Sequence, residues 1–159
     1  DVVLEVISQR HYVLLSGHLQ AAMLHIKLPL LESWHEGRRR NAAIYRRMFA
    51  EAGLSGRIVV PEELPGRRHI YNQFIVRFPE GRETRDRVIE HLKSVAIGCE
   101  IYYPLTLAEQ ECFKDIPGAR DSYPNSETAA ASTLAIPIFP ELREEQIAEV
   151  VREIGNALG

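Results

Sequence analysis

Apolar positions between His18 and Gly53 keep near-helical spacing: Leu19, Ala22, Met23, Ile26 and Leu30, then Trp34, Ile44, Tyr45, Met48 and Phe49. Side chains three and four residues apart share one helix face, so the stretch predicts one long helix or two in line. Pro29 has no amide hydrogen and clashes with the preceding turn, which predicts a kink or break there. Gly53 and Gly56 end the segment. A loop holding Pro61, Pro65 and Gly66 leads into His69 to Phe78, dense in β-branched and aromatic residues and therefore predicted as a strand. Val88, Ile89, Leu92 and Val95 return to helical spacing, with Thr84 as the expected cap.

Ile97 to Tyr103, closed by Pro104, predicts a second strand, and Leu107 to Phe113 a short helix. The loop Asp115 to Pro124 and a helix opened by Asn125 lead to Leu134 to Pro140, where two prolines predict a short edge strand. The last helix, Arg143 to Leu158, aligns Ile147, Val150, Val151, Ile154 and Leu158, with Glu144 and Glu145 in its first turn. Together these elements predict an α+β fold: a short, mostly antiparallel sheet with helices on one face and a long amino-terminal helix.

The chain has 159 residues, one domain's worth, with 45% apolar and 26% charged residues. A net charge of -3 argues against a nucleic-acid binder, which needs a clustered basic surplus. Arg38, Arg39, Arg40, Arg46 and Arg47 interleave with apolar residues at helical spacing and are expected on a solvated outer helix face. Cys99 and Cys112 are too few for a disulfide framework, which favours the cytoplasm, and no apolar run approaches the length of a membrane span. The chain begins at Asp1 without methionine, leaving open that it is part of something longer.

Most catalytic constellations fail. Glu32 and His35 have the Glu-x-x-His spacing of di-iron bundles but no second copy, and His18 and His25 lie two helical turns apart, too far to chelate one metal. There is no Gly-rich phosphate loop and no nucleophile elbow. The three lysines, Lys27, Lys93 and Lys114, sit in no small-residue loop that would suit a Schiff base, so no catalytic residue is assigned.

Read in order, Leu19-Gln20-Ala21-Ala22, Arg38-Arg39-Arg40-Asn41-Ala42-Ala43-Ile44-Tyr45, His69-Ile70-Tyr71-Asn72-Gln73-Phe74, Gly98-Cys99-Glu100-Ile101-Tyr102-Tyr103-Pro104, Gln110 with Phe113, and Leu134-Ala135-Ile136-Pro137-Ile138-Phe139-Pro140-Glu141-Leu142 run in register with a family pattern. The chain resembles the DegT/DnrJ/EryC1/StrS sugar aminotransferases from about Leu19 onward. The resemblance implies the carboxy-terminal small domain of a fold-type I enzyme, with residues 1–17 a remnant of the upstream region and 18–159 the small domain. It implies transfer of an amino group, usually from glutamate, to a keto-sugar carried on a nucleoside diphosphate. Pyridoxal phosphate supplies that chemistry, held by a lysine of the large domain, which lies outside this chain.

By the same resemblance Tyr102 and Tyr103 stand where relatives place a His/Tyr pair near substrate, with His69 and Asn72 facing the same region; the bland alternative packs one tyrosine ring in and one out. A homodimer and a partnering large domain are implied as well. Two departures stand out. The family's Gly-x-Asn-x-Arg-x-Asp is absent before Leu19-Gln20, and the histidine of its Pro-Leu-His-Leu-Gln loop is Ala108. The expectation is a small-domain part, silent by itself and without bound cofactor. The rival expectation is a non-catalytic binding or oligomerisation module that reuses this fold.

Overall fold

The computed structural model describes residues 17–118 and 121–159. Residues 1–16, nearly all of the expected upstream remnant, lie outside the described residues. Helix α1 covers residues 17–27. A 3-10 turn at Leu28–Leu30 then separates it from α2, Leu31–Glu51, so the break predicted at Pro29 is present. The chain continues through β1 (Phe74–Arg77), α3 (Arg82–Ser94), α4 (Pro124–Ser132), β2 (Thr133–Ile136) and α5 (Glu144–Leu158).

β1 and β2 pair antiparallel, with Phe74 opposite Ile136 and Val76 opposite Leu134. One residue extends the ladder on each side: Val59 bridges Arg77 and Glu100 bridges Ala135. Period-two alternation sends Phe74, Val76, Leu134 and Ile136 to one face, where they join Tyr45 and Phe49 of α2, Val88 and Leu92 of α3, and Ile147, Val150, Ile154 and Leu158 of α5 in one core. The helices therefore cover one face of a small antiparallel sheet, the α+β arrangement the pattern predicts. Full burial of each large apolar side chain contributes about 1.5–3 kcal/mol relative to exposure.

α2 is the spine. Tyr45 stacks on Phe74 at 5.1 Å and donates its hydroxyl to Pro137 O at 2.9 Å. Burial pushes the Tyr45 phenol well above its ordinary value, keeping it a neutral donor. Asn41 Nδ2 donates to Phe139 O at 2.8 Å, and Gly37 lets the chain at Pro140 approach so closely that a Cβ would meet Pro140 Cα at 2.9 Å. Three contacts thus seat the segment leaving β2 along the helix.

Several expected elements are shorter or differently placed. The strand expected over His69 to Phe78 is ordered as a strand only from Phe74 to Arg77. The carbonyls of His69 and Ile70 accept from Arg39 and Arg38 instead of from a ladder, and Tyr71 turns with φ 47°. The strand expected over Ile97 to Tyr103 shrinks to the Glu100 bridge. Continuing that antiparallel pairing would need amide donors at Thr133 and Pro137, but the Thr133 amide donates to Ala129 O and proline has none. β2 is consequently flanked on both sides rather than at an edge, and its prolines lie just past its end.

Caps differ too. Gly81, with φ 97°, precedes α3, while Thr84 lies inside it and its hydroxyl donates to Glu80 at 3.0 Å. α4 opens one residue early, on Pro124 at its first position, with the Tyr123 amide donating to Glu127 Oε1 at 2.8 Å. The helix expected over Leu107 to Phe113 is reduced to turns and a 3-10 turn at Glu111–Phe113, because this stretch buries no residue beyond it that could anchor a full helix. At α5, Gln146 Oε1 accepts the Arg143 amide at 3.1 Å; the Arg143 guanidinium has no acceptor and cannot complete a reciprocal cap.

The arginine-rich face is not simply solvated. Arg38 donates to Ile70 O at 3.1 Å, Arg39 to Glu63 at 2.6 Å and His69 O at 2.9 Å, and Arg46 to Pro61 O at 2.7 Å. The planar guanidinium presents several donors at once, which lets these side chains strap the loop 59–71 onto α2.

Candidate functional site

A groove of about 350 Å³ opens beside the sheet, lined by Asn72 and Gln73 entering β1, Gly98, Cys99, Glu100 and Tyr102 of the bridging segment, and Ala135 to Ile138 at the end of β2. The sheet creates it. The segment 98–102 pairs with β2 through the isolated Glu100–Ala135 bridge and does not continue as a strand on either side of it.

Of the four residues singled out from the sequence, the groove brings together Asn72 and Tyr102. Tyr103 is outside it and 71% exposed, and Tyr102 is 50% exposed, so neither ring packs inward. His69 is also outside the groove. Its ring lies 4.1 Å from that of Tyr71, and its Nδ1 accepts the Tyr71 amide at 2.9 Å. Sequence reasoning missed Gln73 and Cys99 as wall residues. Both lie inside the motif segments that carry the resemblance, and no periodicity distinguishes them.

The chemistry of the groove is that of neutral hydrogen bonding. Two carboxamides and a phenol are available, and among the described residues no arginine or lysine lines it and the one charged side chain is the carboxylate of Glu100, whose Oε1 accepts the Ile101 amide at 3.1 Å. Burial pushes the Cys99 thiol up, so it is a wall of modest polarity and not a ready nucleophile. Such a lining suits the hydroxyl and amide groups of a sugar and offers nothing to neutralise a diphosphate.

A second cavity, about 420 Å³, lies under the loop 106–118 against Tyr123 and Ser126, and Ala108 is in its wall with Leu107, Phe113 and Ile116. The residue that departs from the family's histidine thus faces an apolar space. A third groove follows the outer face where α1 meets α2, lined by Leu24, His25, Lys27, Leu28, Leu31 and Trp34.

Among the described residues no lysine sits with groups that would fit pyridoxal phosphate. Lys27 lies on the wall of the third groove, whose described residues supply no carboxylate for a pyridine nitrogen and only His25 toward a phosphate. Lys93 is exposed, and Lys114 is exposed and paired with Glu111. Among the described residues no group of three or more His, Cys, Asp or Glu is placed to hold a metal. Glu32 engages Arg68 and lies 3.7 Å from His35. No helix among the described residues is long and apolar enough to cross a membrane.

Comparison with known proteins gives one consistent result. The family model described as "DegT/DnrJ/EryC1/StrS aminotransferase family" matches residues 17–155. A pleiotropic regulatory protein of Geobacillus stearothermophilus is 40% identical over 138 residues, covering 87% of this chain and 36% of that protein. A UDP-N-acetyl-3-dehydro-alpha-D-glucosamine 3-aminotransferase of Acidithiobacillus ferrooxidans is 34% identical over 140 residues, covering 88% of this chain and 35% of that protein. The crystal structure of a DegT DnrJ EryC1 StrS aminotransferase from Brucella abortus superposes with TM-score 0.71 at 32% identity, covering 85% of this chain and 34% of that one. The chain therefore spans about a third of the length of the curated relatives it matches. With fold, motif order and all three comparisons in agreement, the chain belongs to the DegT/DnrJ/EryC1/StrS aminotransferase family.

Proposed function

We propose that this chain is the small-domain part of a pyridoxal-phosphate-dependent aminotransferase that acts on a nucleotide-linked keto-sugar, with glutamate as amino donor. The cofactor and its lysine belong to a large domain that packs on α1, and the working enzyme is a homodimer. In this reading residues 18–159 form the small domain, and the groove holds the sugar: the Asn72 carboxamide and the Tyr102 hydroxyl orient its polar groups while Tyr103 lies at the rim. The Acidithiobacillus relative supports a UDP-linked N-acetylamino keto-sugar as the substrate class, since the groove's amides match an acetamido group. The reading is carried by one observation: a family member whose groove is lined by two carboxamides, a phenol and one carboxylate has no lysine placed to hold the cofactor.

Incubating the chain with pyridoxal phosphate and reducing with borohydride is expected to leave every lysine unmodified at stoichiometric level, by mass spectrometry. Stoichiometric labelling of a single lysine overturns the proposal. The exposed apolar face of α1 also favours a second reading, a binding or oligomerisation module that uses this fold without chemistry. The two separate when a large domain from a relative is added: restored amino transfer supports the first, and stable association without turnover supports the second.

A further inference from the structure

The turn that delivers Asn72 to the groove is built in an unusual way. Tyr71 is 1% exposed and takes φ 47°, the left-handed region that non-glycine residues hold only when their surroundings fix them there. Four ties do so. Arg46 donates to the Tyr71 hydroxyl at 2.5 Å with its guanidinium carbon 5.1 Å from the ring centre, Arg38 donates to Ile70 O, Arg39 joins Glu63 to His69 O, and the Tyr71 amide donates to His69 Nδ1.

These ties differ in how they respond to protons. The guanidinium groups of Arg38, Arg39 and Arg46 stay charged under all ordinary conditions. The Glu63 carboxyl is held below the usual carboxylate range by Arg39 and by the His69 amide. Neighbouring Arg68 is occupied by Glu32 and Glu36. That leaves the imidazole. To accept from the Tyr71 amide, Nδ1 must carry no proton, so the ring is the tautomer with hydrogen on Nε2; adding a second proton converts the acceptor to a donor aimed at a buried donor.

We propose that His69 is a positioning residue: its neutral ring, accepting at Nδ1, locks Tyr71 in the turn that sets Asn72 in the groove, and its protonation releases Asn72. The sequence motif points to His69 as a substrate contact; the geometry gives it an indirect role one residue removed. This inference rests on the sugar-binding reading of the groove for its functional meaning, though the coupling itself is a property of the chain alone.

The test is an NMR titration of the isotopically labelled chain from about pH 8 to about pH 5, the span in which histidine side chains ordinarily titrate. The His69 ring, the Tyr71 backbone amide and the Asn72 side-chain amide are followed together. Tyr71 and Asn72 signals should move in step with the His69 ring, and exchange of the Tyr71 amide should rise about tenfold, the effect of one net hydrogen bond. In His69→Asn the side-chain oxygen is an acceptor that does not titrate, so the Tyr71 and Asn72 signals should stay flat and resemble the neutral wild type. His69→Leu should lose Tyr71 protection at every pH while amides of Tyr45 and Ile154 keep theirs, which separates a local release from unfolding. Tyr71 and Asn72 signals that ignore the His69 titration, or that move equally in His69→Asn, overturn the inference. Binding of a UDP-linked N-acetylamino sugar is measured separately at neutral pH; its absence removes the groove reading and leaves the proton coupling standing.

Discussion

α1 and α2 follow one another along the chain, carry similar apolar periodicity, and have opposite fates. α2 buries Gly37, Asn41, Ala42, Tyr45 and Phe49 against the sheet and the segment leaving β2. α1 buries nothing among the described residues, and leaves Leu24 67% and Ile26 73% exposed with Leu19, Met23, Leu28 and Leu30 beside them. Periodicity reports that a helix has an apolar face; it does not report what covers that face. In the proposed reading, an uncovered stripe of this size is the contact surface for the large domain.

The contrast can be broken most directly in the cores. Phe74→Ala, at a fully buried site against Tyr45, should cost about 3–5 kcal/mol in urea denaturation, whereas Leu24→Ala on α1 should change stability by less than about 0.5 kcal/mol. Equal losses would mean that α1 is packed in solution. Next, Gly37→Ala should cost about 1–3 kcal/mol because the new methyl meets Pro140 backbone, which cannot swing aside as a side chain can. Gly17, with nothing within 4 Å of its would-be Cβ, should tolerate the same change without loss.

A smaller effect belongs to the clasp between α3 and α5, where His91 Nε2 donates to Glu153 at 2.8 Å. His91, Asn156 and Arg152 hold the Glu153 carboxyl below its ordinary range. A carboxyl depressed in the folded state stabilises above its unfolded-state value and loses that contribution as pH falls through the folded-state one. The stability gap between wild type and Glu153→Gln should therefore be full at neutral pH and close on acidification below about pH 4.5. A gap that is flat from neutral to acid pH would remove the clasp from the covered half. Smallest in stability, within about 0.5 kcal/mol, should be the paired changes Leu24→Arg and Leu28→Arg. They should instead reduce self-association in sedimentation velocity, since they place charge on the bare stripe.

The candidate site was legible only in part. Asn72 and Tyr102 came from motif order and do share a groove, whereas Tyr103, the next residue, points to solvent outside it. His69 was read as a site residue by the family resemblance, at the start of an expected strand facing the same region as Tyr102 and Tyr103. The chain there is turned by Tyr71, and the carbonyls of Ile70 and His69 are claimed by Arg38 and Arg39, 32 and 30 residues earlier. Those same arginines were expected on a solvated face, since a helical pattern shows which residues share a side without showing what loop arrives there. The short strands follow the same logic: the residue types of Ile97 to Tyr103 favour a strand, but a strand needs donors on its neighbour, and Thr133 and Pro137 supply none.

The amino-acid sequence by itself determined every helix except the one expected over Leu107 to Phe113, the break at Pro29, the α+β class and the family, because helical periodicity, proline and ordered motifs act over a few residues at a time. Tertiary structure decided where the strands stop, which aromatic and amide groups meet in the groove, and that His69 serves Tyr71. Those outcomes depend on hydrogen-bond partners brought together from distant parts of the chain, and a partner's availability is a property of the folded neighbourhood rather than of any local stretch.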